Sequence, residues 1–421
     1  MLVATGLLAA GCASTIDRQR ESPGGPVRTA ARMDGAVQLV ADARPAGGGQ
    51  PAAVVAAEQR LSLALLRKVD GSGNVSTSPA SLYIALAMLE NGARGRTQAQ
   101  IASGLQADGL SPSDQNAGLA ALTDELASAA SRDHVTLQSA NSVWQQRGFP
   151  IRKQFLETLA AYYRTGVWQV DFAGNPSGAS HAINDWTSQQ THGKIRKLFD
   201  GLDRSTVLVL ANAVYFHAAW ATPFVGAETA PRTFTTASGQ QVQAQFMSGG
   251  SGLQVASTDA YQAVQLPYRG GRFAALAIMP RRGSLRDFVR SATPASVQSI
   301  ASGLRPADGA AVLMPRFTTT STLDLVPALK SLGMTDAFRA ADLSALSSRR
   351  TRVSQVVQRV YLGVGEAGTT AAAVTGIAIA QSAKRAASLT ISLDRPFLFL
   401  VRDTKTGMVL FASEIQDPTA G

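Results

Sequence analysis

The chain of 421 residues is 45% hydrophobic, 16% charged and 6% aromatic, with a formal net charge of +10. It is long enough to bury a large core as one big domain or two ordinary ones, and its one cysteine excludes an internal disulfide, while no Cys/His cluster has metal-ligand spacing. The positive balance invites nucleic acid or an anionic membrane surface, yet the densest basic groups, Lys194-Ile195-Arg196-Lys197 and Arg349-Arg350-Thr351-Arg352, are short. A solvated basic surface is therefore expected, with no nucleic-acid partner, no metal and no cofactor.

The chain opens on an apolar run, MLVATGLLAAGCAS, that ends in small residues and has the look of a secretory signal over 1–12. Within it, Leu8-Ala9-Ala10-Gly11-Cys12 resembles a bacterial lipoprotein lipobox, which implies cleavage before Cys12 and acylation of its thiol. A simple cleaved signal is the alternative. From 13 to 51, ESPGGPVRTA and ARPAGGGQP hold Pro, Gly and charge without hydrophobic periodicity, which predicts a flexible linker. The folded body then runs from 52 to 421.

Periodicity predicts a helix over 53–69, with Leu61, Leu65 and Leu66 on one side. A second helix has Ser78 as N-cap, Pro79 in its first turn, apolar Leu82, Ala85, Leu86 and Leu89, and Gly92 as its stop. Further helices are predicted from Thr97 and over 152–164, 177–192, 285–303 and 322–332. Strands are predicted at VTLQSANSVWQ, GVWQVDF, TVLVLANAVYF, the hairpin YQAVQLPYRGGRFAALAIMP, GAAVLMPRFTT, VVQRVYLGVG, LTISLDRPFLFLVRD and GMVLFASEI. Helices dominate the first half and strands the second, so the class is mixed α+β with large antiparallel sheets.

After Glu366 the chain carries no charge for seventeen residues, until Lys384. Thr369, Thr370, Thr375, Gln381 and Ser382 make EAGTTAAAVTGIAIAQSA too polar for a transmembrane helix, and its interior position excludes a signal peptide. It lacks proline and holds Val374, Ile377 and Ile379, unlike a disordered linker. Uncharged apolar runs are the signature of strands buried on both faces. The run is predicted to become such a strand, and its small residues over 368–373 would offer little steric resistance to entry between others.

Catalytic machinery is not legible. No Gly-x-Ser-x-Gly elbow occurs, the histidines His134, His181, His192 and His217 are isolated, and carboxylate pairs such as Asp124-Glu125 read as solvated helix faces. Nothing assembles a nucleophile, a base and an oxyanion hole, so the chain is not expected to be an enzyme.

Separated stretches together resemble the serpin family: NVSTSPASLYIALAMLENGARGRTQAQIASGL, INDWTSQQTHGKIRKLF, LANAVYFHAAWATPF, YQAVQLPY, LMPRFTTTSTLDLVPALKSLGMTDAF and DRPFLFLVRDTKTGMVLFASEI, in the family's order, from about residue 53 to 417. The resemblance implies an α+β serpin fold with a large central β-sheet, two further sheets, eight or nine helices and an exposed reactive-centre loop. It implies a serine protease inhibitor acting as a suicide substrate: a protease cleaves the loop, an acyl-enzyme forms, and the loop inserts into the main sheet and carries the protease away. Family hinges that allow this have Glu, then Gly two residues on, then Thr or Ser and small residues. Glu366, Gly368, Thr369, Ala371, Ala372 and Ala373 follow that pattern. On an inserted strand Thr369, Ala371, Ala373, Thr375, Ile377 and Ile379 would share one face, and a charge there would stall insertion. A non-inhibitory serpin that acts by binding is the alternative.

The hinge position implies a scissile bond at Ser382-Ala383, or alternatively at Arg385-Ala386. A small Ser382 with Ile379 behind it suits elastase-like or subtilisin-like serine proteases; the alternative bond would suit trypsin-like ones, and papain-like cysteine proteases are a further class. Ser78, Ser81 and Asn212 match the polar cluster that controls sheet opening in the family, and Trp220 matches the point of first insertion. Gln358 stands where relatives usually carry His, and an amide cannot gain charge. The expected molecule is a monomer, secreted across the inner membrane and either lipid-anchored in the cell envelope (outer membrane or periplasm) or extracellular, touching membrane only through the anchor.

Overall fold

The computed structural model describes residues 27–43, 49, 51–69, 73–249, 253–306, 310–370 and 389–420. Among them are nine α-helices and three sheets, the expected α+β architecture. The main sheet has eight strands in the order Val27–Met33, Ala36–Ala41, Val167–Val170, Thr136–Gln146, Leu208–Ala219, Gly368–Thr369, Gln355–Gly365 and Phe317–Asp324. A seven-stranded sheet is built around Phe273–Pro280, Phe397–Asp403 and Val409–Ile415, and a four-stranded one around Gln241–Gly249 and Ala310–Pro315.

Leu208–Ala219 is the centre of the main sheet and is buried along almost its whole length, which is why it reads as a continuous apolar run. Its alternate residues serve two layers. Leu208, Leu210, Val214 and Phe216 join the main core on the inner face, beneath which lies helix Pro79–Gly92. Val209, Ala211 and Ala213 face the outer layer, where Ile183 and Trp186 of helix Pro176–Gln190 cover them together with Trp144 and Trp168, whose rings stack at 5.1 Å. That helix starts where Asn175 Oδ1 accepts the Gly178 N–H at 2.9 Å, with Pro176 next.

Four expectations are corrected. Within the predicted linker, Val27–Met33 and Ala36–Ala41 form a hairpin whose two-residue turn is Asp34-Gly35, with Gly35 at φ +71°. Its second strand pairs with Val167–Val170, so the ordered body starts well before residue 52. The 285–303 helix is two helices, Leu285–Ser291 and Pro294–Gly303, because Pro294 has no N–H to continue the first and opens the second behind the Thr293 capping box. Residues 322–324 end the Phe317–Asp324 strand, and the helix is confined to Val326–Ser331. Ser78 does stand at the start of helix Pro79–Gly92, but its hydroxyl donates to the Leu410 carbonyl at 2.7 Å and caps nothing.

Candidate functional site: a seam in the main sheet

The strands Leu208–Ala219 and Gln355–Gly365 meet along a seam that is closed at one end and spread at the other. At the closed end residues 355–360 pair in parallel with residues 209–214. At the spread end Gly368–Thr369 stands between them, antiparallel to both, with Gly368 opposite Ala219 and Gly365 and Thr369 opposite Ala218 and Val364. Glycine is required at 368, where φ is +153° and a Cβ would overlap the Ala218 carbonyl.

Side chains around the spread end grip the Glu366–Thr370 segment by hydrogen bonds. The Trp220 backbone N–H donates to the Ala367 carbonyl at 3.0 Å and its indole N–H to the Gly365 carbonyl at 2.9 Å. The indole stacks on Tyr268 at 4.5 Å, and the Tyr268 hydroxyl lies 2.5 Å from the buried Thr369 hydroxyl. Burial pushes the Tyr268 phenol well above its ordinary range, against the pull of the Thr369 bond, so it stays neutral. His217 Nδ1 is 3.0 Å from the Thr370 carbonyl, whose residue has a left-handed backbone at φ +54°. Thr229 Oγ1 donates to Glu366 Oε1 at 2.8 Å, and Arg316 Nη1 lies 3.5 Å from the same oxygen.

At the closed end, Asn141, Asn212 and Gln358 are register partners on three adjacent strands and form a ladder of side-chain amides on the inner face. Gln358 Nε2 donates to Asn212 Oδ1 at 2.6 Å and to the Ser78 carbonyl at 2.9 Å. Its Oε1 accepts the Ser78 N–H at 2.9 Å and the Thr77 hydroxyl at 2.8 Å. Asn212 Nδ2 donates to Ser81 Oγ at 2.5 Å and to Asn141 Oδ1, and the Ser81 hydroxyl donates to Asn141 Oδ1 at 3.0 Å. Ser78, Ser81, Asn212 and Gln358 are all buried. A buried polar group stripped of its partner costs roughly 1–3 kcal/mol, so the ladder is a strong fastening while it is complete and a costly one to break.

The structure brings Ser78, Ser81, Asn212 and Gln358 into one network, and sets Trp220, expected beside them, apart at the spread end with the hinge residues Glu366, Gly368 and Thr369. Sequence reasoning missed Thr77, Asn141, Tyr268, His217 and Arg316. The signal available for Asn141 was an amide within the strand SANSVWQ, where an apolar residue would be ordinary. Ala371, Ala372, Ala373, Ser382, Ala383, Arg385, Ala386 and Cys12 lie outside the described residues. The Asp124 and Glu125 carboxylates form ion pairs, with Arg164 and with Arg272 and Lys405. Among the described residues no group of His, Cys, Asp and Glu could hold a metal ion, and no helix is long and apolar enough to cross a membrane.

Comparison with known proteins agrees with this geometry. The profile of the family described as Serpin (serine protease inhibitor) matches residues 56–418. An uncharacterized serpin-like protein of Thermococcus kodakarensis is 32% identical over 380 residues, covering 89% of this chain and 88% of that one. Neuroserpin of Gallus gallus is 31% identical over 370 residues, covering 84% of this chain and 88% of that one. The crystal structure of tengpin, a thermophilic serpin, in the native state superposes with a TM-score of 0.82 at 27% identity, over 89% of this chain and 97% of that one.

Proposed function

Because the chain belongs to the serpin family, whose members are in general protease inhibitors and not catalytic enzymes, we propose that it is a single-use trap for serine proteases, in which a cleaved loop enters the seam while still bonded to the protease. The observation that carries this reading is Gly368–Thr369, already seated as a strand at the spread end of the seam. Insertion would extend that strand toward the closed end.

Register supports the same reading. Continuing both pairings without a bulge puts Thr375 between Asn212 and Gln358. Residues directly paired across a sheet share a face, and Thr375 shares its face with Thr369. Its hydroxyl would meet the two amides as they separate and restore a bond to each. On the opposite face Val374, Gly376 and Ala378 would come beside Ala213, Ala211 and Val209 under helix Pro176–Gln190, in a layer already apolar. The continued register brings Ser382 to Ser205 and Thr351, just beyond the ends of both flanking strands. A bond at Ser382-Ala383 therefore fits a strand that fills the seam, whereas Arg385 would overshoot it.

A small Ser382 favours proteases of the elastase or subtilisin type over trypsin-like ones, and papain-like cysteine proteases form the same kind of acyl-enzyme. The segment before the body and Cys12 support secretion, with a lipid anchor in the cell envelope. The test is incubation of the protein with pancreatic elastase, subtilisin and trypsin, followed by a denaturing gel and mass spectrometry. A denaturant-stable complex with a released peptide beginning at Ala383 is the expected result. A peptide beginning at Ala386 moves the bond to Arg385, and cleavage by all three without a complex sinks the inhibitor reading in favour of a serpin that acts by binding.

A further inference from the structure

Where the chain enters Leu208–Ala219 and Gln355–Gly365, the loop of residues 339–354 walls an open cleft of about 640 Å³. Arg339, Arg349, Arg350 and Arg352 line it against a single carboxylate, Asp342. All four arginines are exposed, and among the described residues none of their guanidiniums has a carboxylate or hydrogen-bond partner. The Asp342 carboxylate is engaged locally, accepting the Ser344 N–H at 3.2 Å. Thr351, also in the wall, is only 6% exposed, and among the described residues its buried hydroxyl has no partner.

The wall is held in place. The Arg94 N–H donates to the Asp342 carbonyl at 2.9 Å, the Arg152 N–H to the Leu346 carbonyl at 2.9 Å, the Val353 N–H to the Ala337 carbonyl at 2.9 Å and the Ser354 N–H to the Leu208 carbonyl at 2.8 Å. The Arg349 guanidinium lies over the Phe149 ring at 5.1 Å, which fixes one of the four charges. Binding to such a wall requires little ordering of the backbone.

We propose that this cleft binds a small multivalent oxyanion, a ligand carrying two or more phosphate groups. Four unpaired guanidiniums against one engaged carboxylate call for more than one negative charge, and the planar guanidinium fork matches phosphate oxygens bidentately. The volume is that of a small-molecule site, roughly 300–1,000 Å³, and not the long basic stripe that tracks a polymer backbone. Free phosphate esters and phosphorylated lipid headgroups share this chemistry.

The experiment is calorimetric titration of the full chain with inorganic tripolyphosphate at low and moderate salt, with cosedimentation on vesicles containing cardiolipin, whose headgroup carries two phosphates, as a second arm. Saturable binding that weakens with salt is expected, about tenfold weaker in the double variant Arg350→Ser/Arg352→Ser, with its thermal midpoint kept near the parent's. Vesicle binding that tripolyphosphate displaces would identify a lipid headgroup as the source, and its absence would leave a soluble phosphate ester. No saturable binding by the folded parent, or binding undiminished in the folded double variant, overturns the proposal.

Discussion

The two ends of the seam are made of the same two strands and behave as different interfaces. At the spread end, the bonds that Leu208–Ala219 and Gln355–Gly365 would exchange are made instead to Gly368–Thr369, and Trp220, Tyr268 and His217 hold the intruding segment. At the closed end, the strands bond directly and the Asn212–Gln358 amides fasten them on the inner face. The difference separates two energetic tasks. On the proposed mechanism the hinge strand is already seated, so further insertion would be limited by the fastening beneath it, where strand bonds and side-chain bonds would have to be exchanged together.

The largest effect expected of any change is therefore a charge carried into the ladder. Thr375→Arg would bring an unpaired guanidinium between Asn212 and Gln358 on the buried face, at a cost of several kcal/mol. The variant is expected to be cleaved by the target protease at the parent's rate and to lose the denaturant-stable complex on gels. Trapping at the parent's efficiency would mean that the loop does not take this path.

A second effect, of a few kcal/mol, should lie away from the seam. Burial of Glu58 in helix Pro51–Lys68 pushes its carboxyl up to about 8, against the pull of the Val409 N–H, and burial pushes Glu90 up to about 7, against Gln115. Both values exceed the ordinary carboxyl value of 4.5, so the folded protein holds protons that the unfolded chain releases. Their stabilisation is complete below 4.5 and is lost as pH rises through about 7 and about 8. Scanning calorimetry should show the unfolding midpoint falling across that window, with Glu58→Gln flattening its upper part. The amide ladder does not titrate, so Gln358→Ala should leave the slope unchanged; a slope that survives Glu58→Gln combined with Glu90→Gln would put the titration elsewhere.

The same contrast explains what the sequence made legible. The helix start at Ser78-Pro79 and the uncharged run after Glu366 are local signals that could be read directly, although the Ser78 hydroxyl caps nothing. The hairpin at Asp34-Gly35 was local too, but Pro and Gly on either side, and strands without clear alternation, hid it. The ladder was not local at all. Asn141, Asn212 and Gln358 are far apart in the chain and meet only because three strands share one register. Resemblance to relatives supplied Asn212 and Gln358, and only the register supplied Asn141. Tyr268 was hidden for the same reason: its ring stacks on Trp220 across an isolated bridge between two sheets.

A pair of variants compares the two ends directly. Gln358→Ala would leave the Ser78 N–H and carbonyl, the Thr77 hydroxyl and Asn212 Oδ1 without their partner and would open a small cavity, for a loss of about 2–4 kcal/mol. Tyr268→Phe would remove one bond to the Thr369 hydroxyl and keep the stacked ring, for a loss of about 1 kcal/mol. The consequences should differ in kind as well as size. Loosening the closed end admits any free strand, including one from a second molecule, so Gln358→Ala should form oligomers faster than the parent on mild heating, followed by native gel. Tyr268→Phe loosens only a segment already seated and should lower the calorimetric midpoint slightly with little change in oligomer formation. Should Tyr268→Phe instead oligomerise as fast as Gln358→Ala, the resistance to insertion would lie where the seam is already spread, and the ladder would be a structural fastening with no part in controlling the loop.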